Sequence, residues 1–99
     1  MITNGDKLTE IINHYGILPQ LKYFQSEVFE LNEAIITGEL KDLDNKAVQH
    51  IAEEIADCYV MLEQFRLYYD IDLEEVYKVG RYKIDRQLER IKNESNNIN

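Results

Sequence analysis

Residues that interrupt helices are rare in this chain, and their positions constrain the fold more than any other feature. The sequence has one proline and four glycines among its 99 residues. Between these interruptions, apolar residues recur every three or four positions, which places them on one face of a helix. The pattern predicts an all-α fold with long helices rather than many short strands. A chain of this length forms one domain, 1–99, whose Asn-rich end, 93–99, we expect to be a flexible tail.

Four helices are expected. They begin near residues 6, 19, 44 or 45, and 72, and the first, second and fourth end near residues 15, 38 and 92. Gly16 is suited to close the first helix in a left-handed conformation, and Gly38 to end the second. Pro19 fits the first turn of the second helix. Asp72 and Glu75 have the spacing of a capping box for the fourth. The second and third helices are the two long central ones, joined by a turn at 38–45.

Each central helix carries an apolar stripe that we expect to face the other in an antiparallel pair. The stripes are Leu21, Phe24, Val28, Leu31 and Ile35 on the second helix, and Val48, Ile51, Ile55, Tyr59 and Leu62 on the third. Further apolar residues surround much of the third helix, which indicates burial by more than one neighbour. A short chain offers few such surfaces, so a homodimer or homotetramer is expected.

Two pairs of acidic residues occur at helical spacing, Glu27 with Glu30 and Glu54 with Asp57. A separation of three residues places both side chains of a pair on one helical surface. On helical wheels, the two pairs lie at similar angles from their apolar stripes, in the same rotational sense. They also lie at equal distances from residue 42, inside the predicted turn. An antiparallel pairing therefore brings four carboxylates together at one edge of the helix interface.

Converging carboxylates require compensation. At an effective dielectric constant near 20, two like charges about 4 Å apart repel by about 4 kcal/mol. Either some carboxylates are protonated or a cation lies among them. A cluster of oxygen ligands without His or Cys suits Mg²⁺, or alternatively Mn²⁺, better than zinc. His50, one turn before Glu54, is either a partner of that carboxylate or an ordinary polar-face residue.

The overall charge and the single cysteine exclude several classes of protein. The net charge is −8, which opposes general nucleic-acid binding. Cys58 has no partner for a disulfide, and this fits a reducing, cytoplasmic location. We expect neither a signal peptide nor a membrane span, because no long apolar segment is present.

The acidic segments SEVFELNEAI at 26–35 and EIAD at 54–57 resemble the ExxE and ExxD motifs of MazG-like all-α nucleoside triphosphate pyrophosphatases. The segment YKIDRQLERI at 82–91 is similar to the third motif of compact, phage-type members. The resemblance covers about residues 16–92. The chain departs from the family pattern at Ser26, where a second glutamate is common, and at Tyr23, where a basic residue is common.

The resemblance implies a four-helix MazG-like bundle and hydrolysis of a (d)NTP to a (d)NMP and pyrophosphate. By matching position, Glu27, Glu30, Glu54 and Asp57 would be the Mg²⁺ ligands. For an Mg²⁺-dependent hydrolysis, a carboxylate that the metal does not saturate can accept the proton of the attacking water. Glu30 is the first choice for this catalytic role, and Glu33 and Glu53 are its alternatives.

Basic and aromatic residues supply candidates for substrate binding. The last quarter of the chain contains a cluster of cations, and the pairs Lys78 with Arg81 and Lys83 with Arg86 can each share a helix face and contact a phosphate. Salt bridges to acidic helices are the alternative role. Tyr23, with its neighbours Tyr15 and Phe24, is a candidate to stack on a base, although aromatic residues at helical spacing are more often core.

Two alternatives to the general pyrophosphohydrolase remain open. One is a catalytically silent helical dimer that binds a nucleotide or a protein partner through its acidic face. The other is an all-α dUTP-specific pyrophosphatase, which uses the same carboxylate chemistry and differs in base selection.

Overall fold

The prediction of an all-α fold is confirmed. The computed structural model describes residues 1–97, and these contain four helices and no β-strand. The helices are α1 (Asn4–Tyr15), α2 (Ile17–Leu40), α3 (Asn45–Tyr68) and α4 (Leu73–Asn97). No helix in this part of the chain combines the length and the apolar character needed to cross a membrane.

The beginnings of the helices follow from local hydrogen bonding. Thr3 and Asp6 form a reciprocal capping box at the start of α1, two residues earlier than the sequence predicts. Gly16 separates α1 from α2 with a φ of 90°, a conformation that glycine adopts without the steric cost of a Cβ atom. The helix α3 begins where the sequence predicts, and Asp44 caps it, because its Oδ1 accepts a hydrogen bond of 2.8 Å from the backbone N–H of Ala47.

Two predicted boundaries are wrong. Gly38 does not end α2 but is buried inside its last turn, which continues to Leu40. A Cβ atom at Gly38 would lie 3.0 Å from the side chain of Leu43 and 3.4 Å from that of Ile51, so glycine permits a close approach of the loop and α3. The helix α4 extends past residue 92 to Asn97, where a flexible tail was expected, and residues 98–99 lie outside the described residues. Asp72 caps α4 through the N–H of Glu74.

The chain divides into two compact units, Met1–Tyr69 and a second that begins at Asp70 and contains α4. In the first unit, α2 and α3 form an antiparallel hairpin across residues 41–44, and α1 packs on both helices, mainly on α3. Ile12 of α1 and Met61 of α3 are buried apolar residues of this unit. The rings of Phe24 and Phe65 pack edge to face, with centroids 5.4 Å apart.

The predicted apolar stripes form only part of the interface between α2 and α3: Phe24, Val28, Leu31 and Ile51 are half-buried, and Ile51 lies against Gly38. Leu21 and Ile35 of α2 are exposed, as are Val48, Ile55, Tyr59 and Leu62 of α3. The buried positions are instead Gln20, Glu27, Ala34 and Gly38 on α2, and Cys58, Met61 and Gln64 on α3. Small and polar residues thus share the most buried positions with Met61, and much of the apolar surface of α3 is exposed.

The cap at Asp44 is the clearest single determinant of where α3 begins. We expect Asp44→Ala to lower the free energy of unfolding by about 1 kcal/mol, because the N–H of Ala47 loses its acceptor. Urea unfolding followed by circular dichroism measures this change. Asp44→Asn keeps an acceptor and should retain most of the stability, and Asp42→Ala is the charge-matched control in the same loop. An equal loss in Asp42→Ala would contradict the capping role.

Candidate metal centre

Three glutamates from two helices form the candidate site. Glu27 and Glu30 lie on α2 and Glu54 lies on α3, and one carboxylate oxygen of each lies within 4.8 Å of the others. We call these three residues the glutamate group. Each can offer one oxygen to a shared cation, and a set made only of carboxylate oxygens suits a hard divalent ion such as Mg²⁺.

The antiparallel hairpin brings the glutamate group together. Glu30 and Glu54 lie equal numbers of residues before and after residue 42, which is in the loop between α2 and α3. The expectation that carboxylates from the two helices converge is confirmed for three of the four residues. Their expected place at the edge of the interface is wrong for Glu27, which is only 5% exposed and lies in the contact face itself.

Two oxygens of the glutamate group lack any hydrogen-bond partner. They are Oε2 of Glu27 and Oε2 of Glu54, and both atoms are buried. The Glu54 side chain is 12% exposed, whereas Glu30 is exposed to solvent. A buried charged oxygen without a partner is destabilising by about 1–3 kcal/mol or more. The residues therefore fit a bound cation, which would give both oxygens a partner and reduce the repulsion among the carboxylates.

Burial and like charges act on Glu27 in the same direction. Burial is the main cause of a raised pKa for Glu27, and the negative charges of Asp57, Glu30 and Glu54 raise it further. A hydrogen bond from the Tyr23 hydroxyl opposes these effects. The same contact raises the pKa of Tyr23. Tyr23, one turn before Glu27 on α2, thus holds its proton towards the carboxylate and orients it.

The fourth predicted ligand, Asp57, lies outside the glutamate group. Its side chain is exposed, one turn beyond Glu54 on α3, and it contributes to the raised pKa of Glu27. Cys58, the next residue, is buried, and burial raises the pKa of its thiol, so a thiolate ligand is disfavoured here.

The remaining carboxylates with a predicted role are Glu33 on α2 and Glu53 on α3. Glu33 is exposed and lines a groove of about 430 Å³ together with Glu30, His50 and Glu54. Glu53 faces His50 instead, with its Oε2 3.9 Å from Nδ1 of the imidazole. The other ring nitrogen, Nε2 of His50, is 4.0 Å from Oε1 of Glu54. His50 therefore lies between Glu53 and Glu54, and Glu33 shares its groove with two members of the glutamate group.

The predicted phosphate-binding cations all belong to α4, in the second unit. Lys78, Arg81, Lys83 and Arg86 are exposed along this helix. The guanidinium carbon of Arg86 lies 5.8 Å from the centre of the Tyr82 ring, a cation–π contact. Their role in substrate binding stays a prediction.

Next to the glutamate group is a cavity of about 570 Å³ that the sequence analysis missed. We call it the amide cavity, because its lining includes two buried glutamines. Nε2 of Gln20 donates a hydrogen bond of 2.8 Å to Oε1 of Gln64. The other lining residues are Ile11, Tyr15, Pro19, Tyr23, Glu27, Asp57, Val60 and Met61.

Comparison with known proteins adds no assignment. No family model, no curated protein and no solved structure matches this chain.

The burial of Glu27 predicts a pH-dependent stability in metal-free buffer. Because its pKa is raised in the folded state, the folded protein holds this proton more tightly than the unfolded chain. Its contribution to stability is present at low pH and is lost as the pH rises from about 4.5, its ordinary value, through the raised pKa. Glu27→Gln has no such proton to lose, and its amide N–H groups can donate to the neighbouring carboxylates.

We expect Glu27→Gln to be more stable than the natural chain by roughly 1–3 kcal/mol at pH 7. The difference should shrink towards pH 4. Urea unfolding between pH 4 and 8 with a chelator present measures it. Glu33→Gln, an exposed change of the same charge on the same helix, is the control and should show little pH-dependent gain. A Glu27→Gln variant less stable than the natural chain at pH 7 would contradict the uncompensated burial.

Proposed function

We propose that this chain is a MazG-like nucleoside triphosphate pyrophosphohydrolase that uses the glutamate group as its Mg²⁺ site. One observation carries the proposal. Three carboxylates from two helices converge within 4.8 Å, and two of their buried oxygens have no partner. The carboxylates repel one another, so the arrangement suits a function in which a bound cation lies among them. The ExxE and EIAD segments that contain these glutamates also resemble the family motifs by position.

Glu27, Glu30 and Glu54 would hold the ion, and Asp57 is the fourth candidate by resemblance. A bound Mg²⁺ would neutralise phosphate charge and lower the pKa of a coordinated water. Without such a cation, a polyanionic triphosphate would be repelled by a chain of net charge −8. Mn²⁺ has similar ligand preferences and is an alternative ion.

The reaction adds the oxygen of water to phosphorus and breaks the bridging bond between the α- and β-phosphates. The products are a (d)NMP and pyrophosphate, and a carboxylate accepts the proton of the attacking water. Glu30 is the first candidate for this base, because it belongs to the glutamate group and is accessible to water. Glu33 lines the same groove and is the second candidate. Glu53, which faces His50, is better suited to orient that ring than to accept the proton.

We expect pyrophosphate release from at least one dNTP when Mg²⁺ is present, and loss of this activity on chelation. Glu54→Gln should reduce kcat at least about 100-fold, because one ligand and its charge are removed. Release of pyrophosphate, measured by a coupled phosphate assay with each dNTP and dUTP, is the readout. Glu39→Gln, an exposed change of the same charge at the end of α2, is the control. A Glu54→Gln variant of unchanged activity would refute the site.

A binding protein without catalysis is the competing function. In that case Mg²⁺ would still raise the melting temperature of the natural chain but not that of Glu54→Gln, and no pyrophosphate would form. No thermal response in either protein would exclude both functions at this site. Strict dependence on dUTP would favour the dUTP-specific alternative.

Self-association is part of the proposal. Val48, Ile55, Tyr59 and Leu62 of α3 are 52%, 52%, 62% and 54% exposed, and together they form an apolar stripe along one side of the helix. A contiguous apolar surface of this kind is typical of an interface. A second copy of the chain would bury it, in agreement with the homodimer or homotetramer expected from the apolar third helix of so short a chain.

We expect the natural chain to sediment at a multiple of its 11.7 kDa mass. The double variant Ile55→Glu/Tyr59→Glu should sediment as a monomer, because association would bury two unpaired charges. Sedimentation equilibrium measures both masses. Gln49→Glu, an exposed change on the same helix, should leave the mass of the assembly unchanged. A natural chain that sediments at 11.7 kDa would refute the association.

A further inference from the structure

The amide cavity has a polar surface that no step of the proposed hydrolysis uses. Gln20 is 7% exposed and Gln64 is 2% exposed, so both amides are almost completely withdrawn from water. Buried amides are destabilising unless their donors and acceptors are paired. The stability of this pair therefore depends on which amide atoms have a hydrogen-bond partner.

The two amides satisfy only part of each other's hydrogen-bonding capacity. Gln20 donates one N–H to Oε1 of Gln64, and Nε2 of Gln64 contacts the sulfur of Met61 at 3.6 Å. A thioether sulfur is a weak acceptor. Among the described residues, Oε1 of Gln20 accepts no hydrogen bond. The cavity therefore offers a free carbonyl acceptor next to amide N–H donors that lack a strong partner.

The rest of the lining suits a flat, partly apolar ligand. Ile11, Pro19 and Met61 supply apolar walls, and Tyr15 and Tyr23 supply aromatic rings on which a flat ligand can stack. The volume of about 570 Å³ lies within the range of small-molecule sites. Glu27 belongs both to this lining and to the glutamate group, so a ligand in the cavity lies next to the proposed metal site.

We propose that the amide cavity binds the base of the nucleotide and that Gln20 and Gln64 select it, an inference that rests on the proposed function. The selected base carries an exocyclic amino group beside an acceptor ring nitrogen, as in cytosine and adenine. The amino group donates to Oε1 of Gln20, and the ring nitrogen accepts from an amide N–H, the two-point pairing that glutamine makes with adenine in nucleic-acid recognition.

The carboxylates of the lining add to this selectivity. Glu27 and Asp57 are acceptors and carry negative charge when ionised, and the Tyr23 hydroxyl is directed towards Glu27. The carbonyl oxygens of thymine and uracil would add further acceptors to a cavity already rich in them. Amino-bearing bases should therefore bind more tightly than thymine or uracil.

Nucleosides test this inference without metal or phosphate. The test is to titrate the isotope-labelled chain, with a chelator present, with deoxycytidine, deoxyadenosine, thymidine and deoxyuridine in turn. The side-chain amide resonances are followed by NMR. Saturable shifts of the Gln20 and Gln64 amides are expected, with tighter binding of deoxycytidine or deoxyadenosine. No saturable shift with any nucleoside, or tighter binding of thymidine or deoxyuridine, would overturn the inference.

Matched variants separate base recognition from folding. Gln20→Met/Gln64→Met replaces both partners with apolar side chains of similar size, which is close to neutral for stability when both members of a buried pair change together. This variant should bind the preferred nucleoside at least about tenfold more weakly. Unchanged affinity would overturn the role of the amides.

One further variant completes the test. Gln25→Leu removes an exposed glutamine of α2 and should leave the affinity unchanged. If the double methionine variant does not fold, the chemical-shift titration of the natural chain with the four nucleosides decides the inference by itself. Because no metal or triphosphate is present, a failure of nucleoside binding is distinguishable from a failure of pyrophosphate release, which the dNTP assay reports separately.

Discussion

The burial of an unpaired carboxylate between two helices is the constraint on which the remainder of the first unit depends. Glu27 is 5% exposed, one of its oxygens has no partner, and three other carboxylates raise its pKa. A protein of marginal stability tolerates such a group only where other contacts offset it. Ile12, Met61 and the Phe24–Phe65 pair pack in the same unit and provide that compensation.

The polar residues between α2 and α3 also specify how the helices align. Gln20 pairs with Gln64, and Glu30 approaches Glu54, each pair symmetric about residue 42. A shift of one helix by a turn would leave the amides unpaired in an apolar environment, which is costly. The same alignment places the amide cavity beside the glutamate group. Selection of a base and binding of a cation would thus depend on a single helical alignment.

The packing of α2 against α3 buries small residues of α2 and leaves several apolar residues of α3 exposed. Ala34 and Gly38 are buried on α2, and the missing side chain of Gly38 leaves room for the side chains of Leu43 and Ile51. The apolar side chains of Val48, Ile55 and Tyr59 then point away from α2. A helix that is apolar on several sides is typically covered by more than one neighbour, and one apolar side of α3 is exposed here.

Much of the fold could be predicted from the sequence, because it depends on interactions between neighbouring residues. The all-α class, the start of α3 near Asp44 and the left-handed Gly16 each follow from a few neighbouring residues. The spacing about residue 42 and the helical wheels predicted that four carboxylates converge, and Glu27, Glu30 and Glu54 do so. The far end of α4 was misjudged because an Asn-rich composition was taken to disfavour a helix that nonetheless continues to Asn97.

The sequence did not predict how α2 and α3 are rotated about their own axes, which decides the face of each helix that is buried. A helical wheel takes apolar residues as the marker of the interior, but here Gln20, Glu27 and Gln64 lie inside while Ile55 and Leu62 lie outside. Gln20 and Gln64 are buried as a hydrogen-bonded pair across two helices, and the two residues are distant in sequence. The sequence alone therefore determined which helices form and which residues lie level with one another, whereas the packing of α1, α2 and α3 determined which face turned inward, because only packing brings Gln20 to Gln64.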